Sequence, residues 1–594
     1  MDGVGLGVTL EDARARRGVE PMVLITLGSV ALVIALALPR ILARVRDSDF
    51  LELAASIQDD SFYYLLPAYH FKTKLFFTFD GLTPSYGFQP MYELLLAGLA
   101  VFHDDFESFF RGAMAMGVWL HVLTSVLLVL LVMRGADAKA PWLRNLQLVL
   151  AGVAGLFYFT RGTVLLSAMT CKENALTALV FVGLLLVATA DARTPAERRR
   201  LSLVVGLGLS ALLLCRMLPT SLVIAGLVGL GALLRWRRPW ELLGAFTVPL
   251  VLWFGYATLA FGHPLPTSAR VKALASSSLP ITWEVVSRDG WDYLKSALDF
   301  SMGMPGRLYL PQQDAARMVF DSSRSSLWMA LAVSTLVALV VAGLWRSRRE
   351  QRDLQVSSGV LGLVAALLVG LLFAYVAQGS LIATRRPGEL TYYIWYVFDA
   401  PVLFAVALGI ACVRGLSMLE AARESWREKS LPMRPVARTF ALGVVMVAGA
   451  LAVFIARVPR EYGKLSRLQP FTSFDPVSQS WPHTMIRAGL WLKQNVPLQP
   501  GERVACYSCG SLGMLLPGHV MNLDGLANDD SARYLLGGST TTPYVTKMRP
   551  RFYIDVHPVD FDEAGIQVKP LHILPFGFKR KPGYLIAELS YPTP

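Results

Sequence analysis

The chain has 594 residues, 54% of them apolar and only 17% charged, with a mean hydropathy of +0.47 and a net charge of +13. Soluble domains carry about 25% charged residues, so that class is excluded for most of the chain. The basic residues sit in short loops between apolar runs, with no basic stripe interleaved with aromatics, which excludes nucleic-acid binding.

About 20 apolar residues cross a bilayer as a helix, and a helix satisfies its own backbone there. Eleven such spans are expected, at 22–39, 113–133, 146–160, 174–190, 201–217, 219–234, 242–261, 327–345, 356–377, 393–413 and 439–457. The first lies between Arg14, Arg16, Arg17 and Arg40, Arg44, Arg46, with no small-residue cleavage pattern after it, and reads as an uncleaved anchor. With residues 1–21 in the cytoplasm, the cytoplasmic loops hold twenty Lys and Arg, from Arg134 to Arg438. The short outer loops hold five: Arg161, Lys172, Arg216, Arg385 and Arg386. That imbalance fits the positive-inside rule.

Three segments are left outside: about 40–112, about 262–326, and the tail from Val458. In the first, Met91 to Phe102 is apolar but too short to cross, and reads as an interfacial helix. The tail carries a helical stretch near Ile486 to Asn495, then strand-like Arg503-Val-Ala-Cys-Tyr, Val520-Met-Asn-Leu-Asp and Phe552-Tyr-Ile-Asp-Val. The expected fold is a polytopic α-helical membrane protein, 22–457, with a small extracytoplasmic α/β domain, 458–594.

Chemistry-bearing residues gather on the outer side. Asp59 and Asp60 stand beside an aromatic cluster that includes Tyr63. Adjacent carboxylates raise one another's pKa, which suits a general base, and two of them can ligate a divalent cation. They also fit an N-cap pair that starts a helix. The loop Thr78 to Met91, with Tyr86 and Gln89, is punctuated by Gly and Pro and surrounded by aromatics, which suit sugar rings or an interfacial anchor. Arg216 is wedged between two spans, where an arginine is costly. Arg385 and Arg386 precede Tyr392-Tyr-Ile-Trp-Tyr396. The guanidinium fork suits phosphate, and snorkelling to headgroups is the alternative. His263 and Lys272 lie in a Pro-stiffened loop after the seventh span. Lys172 and Glu173 read as a local ion pair capping the fourth. Cys506 and Cys509 form a C-x-x-C that reads as packing, with a disulfide or redox role as the alternative. No phosphate-binding loop, dinucleotide motif or clustered zinc spacing is found.

Together these segments resemble the GT-C superfamily of membrane glycosyltransferases, in particular its bacterial protein-mannosyltransferase-like and arabinofuranosyltransferase-like branch. The resemblance rests on Asp59-Asp60, on Tyr86-Gly-Phe-Gln-Pro-Met91, and on Gly262-His-Pro-Leu-Pro-Thr-Ser with Lys272. It rests further on Trp491-Leu492, Pro500-Gly-Glu-Arg-Val-Ala505 and Asn522-Leu-Asp-Gly-Leu-Ala-Asn528. Tyr86, Gln89 and Thr267-Ser268 depart from the residues common in the family.

The resemblance implies a polyprenyl-phosphate sugar donor and an envelope glycan, lipid or protein acceptor. It implies an inverting displacement with Asp59 as base, and Asp60 orienting the acceptor or a metal. Arg216, Arg385 and Arg386 would hold the donor phosphate, and Tyr63, Tyr86, Gln89, His263 and Lys272 the substrates. A divalent cation such as Mg or Mn at Asp59 and Asp60, and a place in the bacterial inner membrane, are further implications. A flippase for lipid-linked saccharides and a non-catalytic envelope scaffold are the competing readings.

Overall fold

The computed structural model describes residues 21–275, 282–283, 287, 294, 335–341, 357–385, 399–428, 433–466, 481–555, 561–574 and 584–592. Among them six helices are long and apolar enough to cross a membrane: Pro21–Asp47, Phe106–Met133, Pro141–Phe159, Pro239–Phe261, Ala400–Arg427 and Pro435–Pro459. Gly162–Met169 and Asn174–Ala188 meet at a 114° bend, and make a seventh if they count as one broken span. The helices Pro195–Cys215, Pro219–Trp236 and Ser357–Arg385 cover three more of the expected spans. The expected span at 327–345 lies mostly outside the described residues.

Local chemistry marks the helix ends. Proline stands in the first turn of the helices that start at 141, 195, 219 and 239, where its missing N–H costs nothing. Thr194 and Glu197 close a reciprocal capping box. Asp105 accepts from the Ser108 N–H at 2.8 Å to start the helix Phe106–Met133. Gly262, at φ 81°, ends the helix Pro239–Phe261. Small residues then let helices close up: a Cβ at Gly206 would lie 2.4 Å from the Leu242 carbonyl oxygen, so the helix beginning at Pro195 packs tightly on the one beginning at Pro239.

The segment between the first two spans is ordered by its own helices, Phe50–Ser56, Phe62–Lys74 and Pro90–Ala100, the last of them the expected short apolar helix. The helix Met433–Ser466 runs well past the expected end of its span. Trp481–Asn495 follows, then β1 (Val504–Cys506), β2 (Val520–Asn522), β3 (Phe552–Asp555), β4 (Gln567–Leu574) and β5 (Tyr584–Ser590), in one sheet of order β2-β1-β3-β5-β4. β1 pairs in parallel with β2 and β3. β5 runs antiparallel to β3 and to β4. The expected strands are present, and β4 and β5 complete the sheet.

Two apolar cores result. One fills the helical bundle around Phe157, Phe181, Leu367 and Leu408. The other runs from Val30 through Phe62, Phe88 and Leu165 to Ile486, Cys506 and Ile554, so the sheet domain is seated on the loops at one end of the bundle. Burial of that continuous surface is what holds the candidate residues in register.

Candidate active site

Asp59 and Asp60 lie in a single 3₁₀ turn, Asp59–Ser61, just before the helix Phe62–Lys74. They reach different partners. Asp59 accepts from Gly510 N–H at 2.9 Å through Oδ2, and from Ser511 N–H at 2.8 Å and Ser511 Oγ at 2.9 Å through Oδ1. It thus caps the short helix Gly510–Leu515 of the sheet domain, and not the helix of its own segment. Burial raises its carboxyl above the usual range, and Asp60's charge adds to the rise against those three bonds.

Asp60 is the more open of the two: its side chain is 40% exposed, and Lys172 Nζ stands 3.7 Å from its Oδ2. Lys172 is itself buried and also donates to Gln58 Oε1. Glu173, next in the chain, turns the other way and pairs with Arg216, Nε to Oε1 3.4 Å. Arg216 also donates from Nη1 to Asn174. The local Lys172–Glu173 pair expected from the sequence is therefore replaced by two long-range pairs. The bend between Gly162–Met169 and Asn174–Ala188 places the two side chains against different neighbours. Gln89 joins the same rim, accepting from Met217 N–H at 3.3 Å. Arg161 is buried nearby in sequence, over the Phe157 ring at 3.8 Å.

The sheet domain contributes a third carboxylate. Tyr63 is buried and donates its hydroxyl to Asp524 Oδ2 at 3.2 Å. It accepts from Asn522 Nδ2 at 3.1 Å and from Cys509 N–H at 3.3 Å. Leu526 N–H donates to Asp524 Oδ1 at 2.7 Å. Burial pushes the Asp524 carboxyl up to about 7, with Asp60's charge adding to the rise. Cys506 and Cys509 are free, buried thiols, and burial pushes Cys509 up to about 11. They pack beneath Tyr63 in their protonated form.

A second junction lies beside the first. Tyr86 is fully buried, takes a 2.7 Å bond from Trp253 Nε1, donates to the Pro264 carbonyl at 3.2 Å, and stacks on Phe261 and His263. Thr267 donates to Asp529 Oδ1, and His263 Nε2 stands 3.8 Å from Asp529 Oδ2. Burial lowers His263 and raises Asp529. A Cβ at Gly87 would fall 1.8 Å from the Leu526 carbonyl oxygen, so only glycine admits the Asn522–Ala527 segment here.

The structure thus brings Asp59, Asp60, Tyr63, Tyr86, Gln89, Arg216 and His263 to one end of the bundle. Arg385 is the last residue of its helix and Lys272 lies in the helix Thr267–Ala275, but their side chains, and Arg386 altogether, lie outside the described residues. Sequence reasoning missed Asp524, whose signal was its place in the Asn522–Asn528 motif, and Asp529, the residue that follows that motif, and read Lys172 and Glu173 as no more than a local pair. Among the described residues no three His, Cys, Asp or Glu side chains are grouped to hold a metal ion. Gly510 and Ser511 together give Asp59 three hydrogen bonds, so a divalent cation at the Asp59–Asp60 pair would share Asp59 with the helix it caps.

No protein-family model matches the chain, and no curated protein matches it. Among solved structures, ArnT from Cupriavidus metallidurans bound to undecaprenyl phosphate is similar at TM-score 0.47 and 11% identity, over 94% of this chain and 98% of that one. The apo oligosaccharyltransferase of Archaeoglobus fulgidus is similar at TM-score 0.43 and 12% identity, over 90% of this chain and 69% of that one. AglB from the same organism, in complex with an inhibitory peptide and a dolichol-phosphate, is similar at TM-score 0.41 and 11% identity, over 90% and 70%.

Proposed function

We propose that the chain is a GT-C-type glycosyltransferase of a bacterial inner membrane, crossing it eleven times. It would move a sugar from a polyprenyl-phosphate donor to an extracytoplasmic acceptor. The donor is of the lipid class that the ArnT structure holds as undecaprenyl phosphate and the AglB structure as dolichol-phosphate. The observation that carries the reading is the set of long-range pairs at one end of the bundle. An accessible carboxylate, Asp60, stands beside a buried cation, Lys172, and Glu173 and Asn174 aim a second buried cation, Arg216, from the adjoining turn.

In this reading Asp60 takes the proton from an acceptor hydroxyl as its oxygen attacks the anomeric carbon. The bond from that carbon to the phosphate oxygen breaks, and its electron pair leaves with the lipid phosphate. The leaving phosphate gains a negative charge, which Lys172 and Arg216 stabilise at a site shielded from bulk water. A single displacement inverts the anomeric centre. Asp59, engaged by Gly510 and Ser511, serves as the tie that seats the sheet domain. Tyr86, His263 and Thr267 hold the second outer loop against that domain, and Gln89 fixes the backbone beside Arg216.

The test is sugar transfer by the purified chain in detergent, from a panel of polyprenyl-phosphate sugars to envelope glycan, lipid and peptide acceptors, with wild type beside Asp60→Asn. Release of lipid phosphate from one donor, lost in the variant while it stays folded, supports the reading. Turnover that survives the substitution removes Asp60 as base.

A further inference from the structure

Resting on the transferase reading, one cleft of the sheet domain says more about the acceptor. We propose that the cleft between the helices Asp529–Leu536 and Thr542–Met548 is an acceptor subsite. It holds a non-reacting sugar unit of the acceptor, one that carries an anionic group, either carboxylate or phosphate.

The cleft has a volume of about 250 Å³ and is lined by Asp530, Arg533, Tyr534, Tyr544 and Lys547. Sites for drug-sized ligands run to about 300–1,000 Å³, so this one suits a single ring-sized unit of a longer chain. The rings of Tyr534 and Tyr544 meet at 5.6 Å with their planes 42° apart, and so form a corner against which the apolar face of a sugar ring can rest. Tyr544 is buried, and its hydroxyl takes a 3.0 Å bond from Asn528 Nδ2. That hydroxyl's own proton has no acceptor among the described residues, which leaves it for a ligand oxygen. Arg533 Nη1 stands 3.2 Å from Asp530 Oδ1, one turn away on the same helix. The pair presents N–H donors and a carboxylate acceptor side by side, as hydroxyls that both donate and accept require. Lys547 adds a second cation from the other helix. Two cations against one acid leave the cleft net positive, and an anionic group on the sugar matches that excess. An acidic peptide would meet the charge but leave the tyrosine corner and the Asp530 acceptor unmatched. The chain ties this cleft to the candidate active site. Asn528 ends the Asn522–Asn528 motif and caps the helix that carries Asp530, Arg533 and Tyr534. Asp529, one residue before Asp530, turns the other way and takes the Thr267 hydroxyl of the second outer loop. That helix has 8 residues, about 12 Å of axis, so cleft and junction lie within the span of a few sugar units.

The experiment is binding of simple glycosides to the full chain in detergent, read by saturation-transfer NMR, which needs no turnover. The probes are methyl glucuronide, methyl glucoside 6-phosphate, methyl glucoside and a short aspartate-rich peptide. The first two separate a carboxylate from a phosphate as the anionic group. The proteins are wild type, Asp60→Asn, Tyr534→Ala, Lys547→Ala and, as a control at an exposed lysine of β4, Lys569→Ala, with thermal midpoints recorded for each. Wild type, Asp60→Asn and Lys569→Ala should bind at least one anionic glycoside more tightly than the neutral one, with a preference that shrinks as salt is added. Lys547→Ala should weaken the anionic glycoside about two- to fivefold, the worth of an exposed charge pair, and leave the neutral one unchanged. Tyr534→Ala, folded, should weaken both about two- to tenfold. Equal binding of anionic and neutral glycosides by wild type overturns the proposal. So does a loss in Lys569→Ala as large as in Lys547→Ala, failure of the wild type to bind any glycoside, or tighter binding of the peptide. Anionic binding that depends on Lys547 and Tyr534, without sugar transfer to any acceptor, would sink the transferase reading and leave this one. Transfer that runs equally well in wild type and both cleft variants would do the reverse.

Discussion

Gly510 meets Asp59 at a distance no other residue allows: its N–H donates to Asp59 Oδ2 at 2.9 Å, and a Cβ on it would stand 2.1 Å from the Asp59 carbonyl oxygen. Backbone cannot yield as a flexible side chain would. Gly510→Ala should therefore force the sheet domain off the segment that carries Asp59 and destabilise the chain by about 1–3 kcal/mol or more. Calorimetry or a thermal-shift scan in detergent checks this. An unchanged midpoint would mean that the two segments do not meet in this way.

The two adjacent aspartates should separate cleanly. Asp60→Asn should cost turnover about 10²–10⁴-fold, the worth of a general base, with some loss of stability because the buried Lys172 loses its carboxylate partner. Asp59→Asn keeps one acceptor oxygen for Ser511 but turns an amide NH₂ toward the Gly510 N–H, setting donor against donor. It should lower stability by about 1–3 kcal/mol. Activity per folded molecule should fall less than in Asp60→Asn, as measured by transfer assays normalised to folded protein. The reverse ranking would make Asp59 the base.

Much of this architecture was legible in the chain itself, because hydropathy reports the lipid environment directly. The helices fall where charge-free runs stand, and β1 to β3 where β-branched and aromatic residues cluster. β4 was missed because it is an edge strand carrying Lys569 and Pro570, with a register shift between Pro570 and His572, so its pattern never alternates cleanly. The site was half legible. Asp59 and Asp60 announce themselves as adjacent carboxylates beside an aromatic cluster between the first two spans, and Arg216 as a charge at a span end. Which carboxylate stays open, and which acid balances Arg216, depend on contacts made over long sequence separations: Asp59 with Gly510, and Lys172 with Asp60. No local pattern encodes them.

Arg216 and Glu173 are buried together, so each depends on the other. Arg216→Ala leaves an uncompensated buried carboxylate and should cost about 3–5 kcal/mol. Adding Glu173→Gln should recover part of that stability without restoring transfer, because the cation proposed for the lipid phosphate is still missing. Midpoints and transfer rates for both single variants and the double variant form the cycle. Recovery of transfer along with stability would reduce Arg216 to a structural role.

Tyr86 is read as a residue that binds protein and not substrate. Tyr86→Phe strands the Trp253 indole N–H and the bond to the Pro264 carbonyl. It should lower stability by about 1–3 kcal/mol while leaving the KM values for donor and acceptor within a few-fold. A large rise in either KM with an unchanged midpoint would place the hydroxyl against substrate instead.

Asp524 gives the junction a pH dependence of definite sign. Its carboxyl sits at about 7 in the folded chain against an ordinary value of 3.8, so folding favours the protonated form. That contribution is fully present below the ordinary value and is lost as pH rises through about 7. Tyr63, Asn522 and the Leu526 N–H bond Asp524, and Asp60's charge acts on it. Asp59 is also raised by burial and acts in the same direction. His263, lowered by burial, acts in the opposite one, its contribution being lost as pH falls. The informative quantity is therefore the difference in thermal midpoint between wild type and Asp524→Asn, measured at about pH 6 and about pH 8. Wild type should lose midpoint relative to the variant as pH rises across that window, because only wild type must ionise a carboxyl held away from water. A difference that stays constant, or grows in favour of wild type, would mean that Asp524 is already ionised at the lower pH.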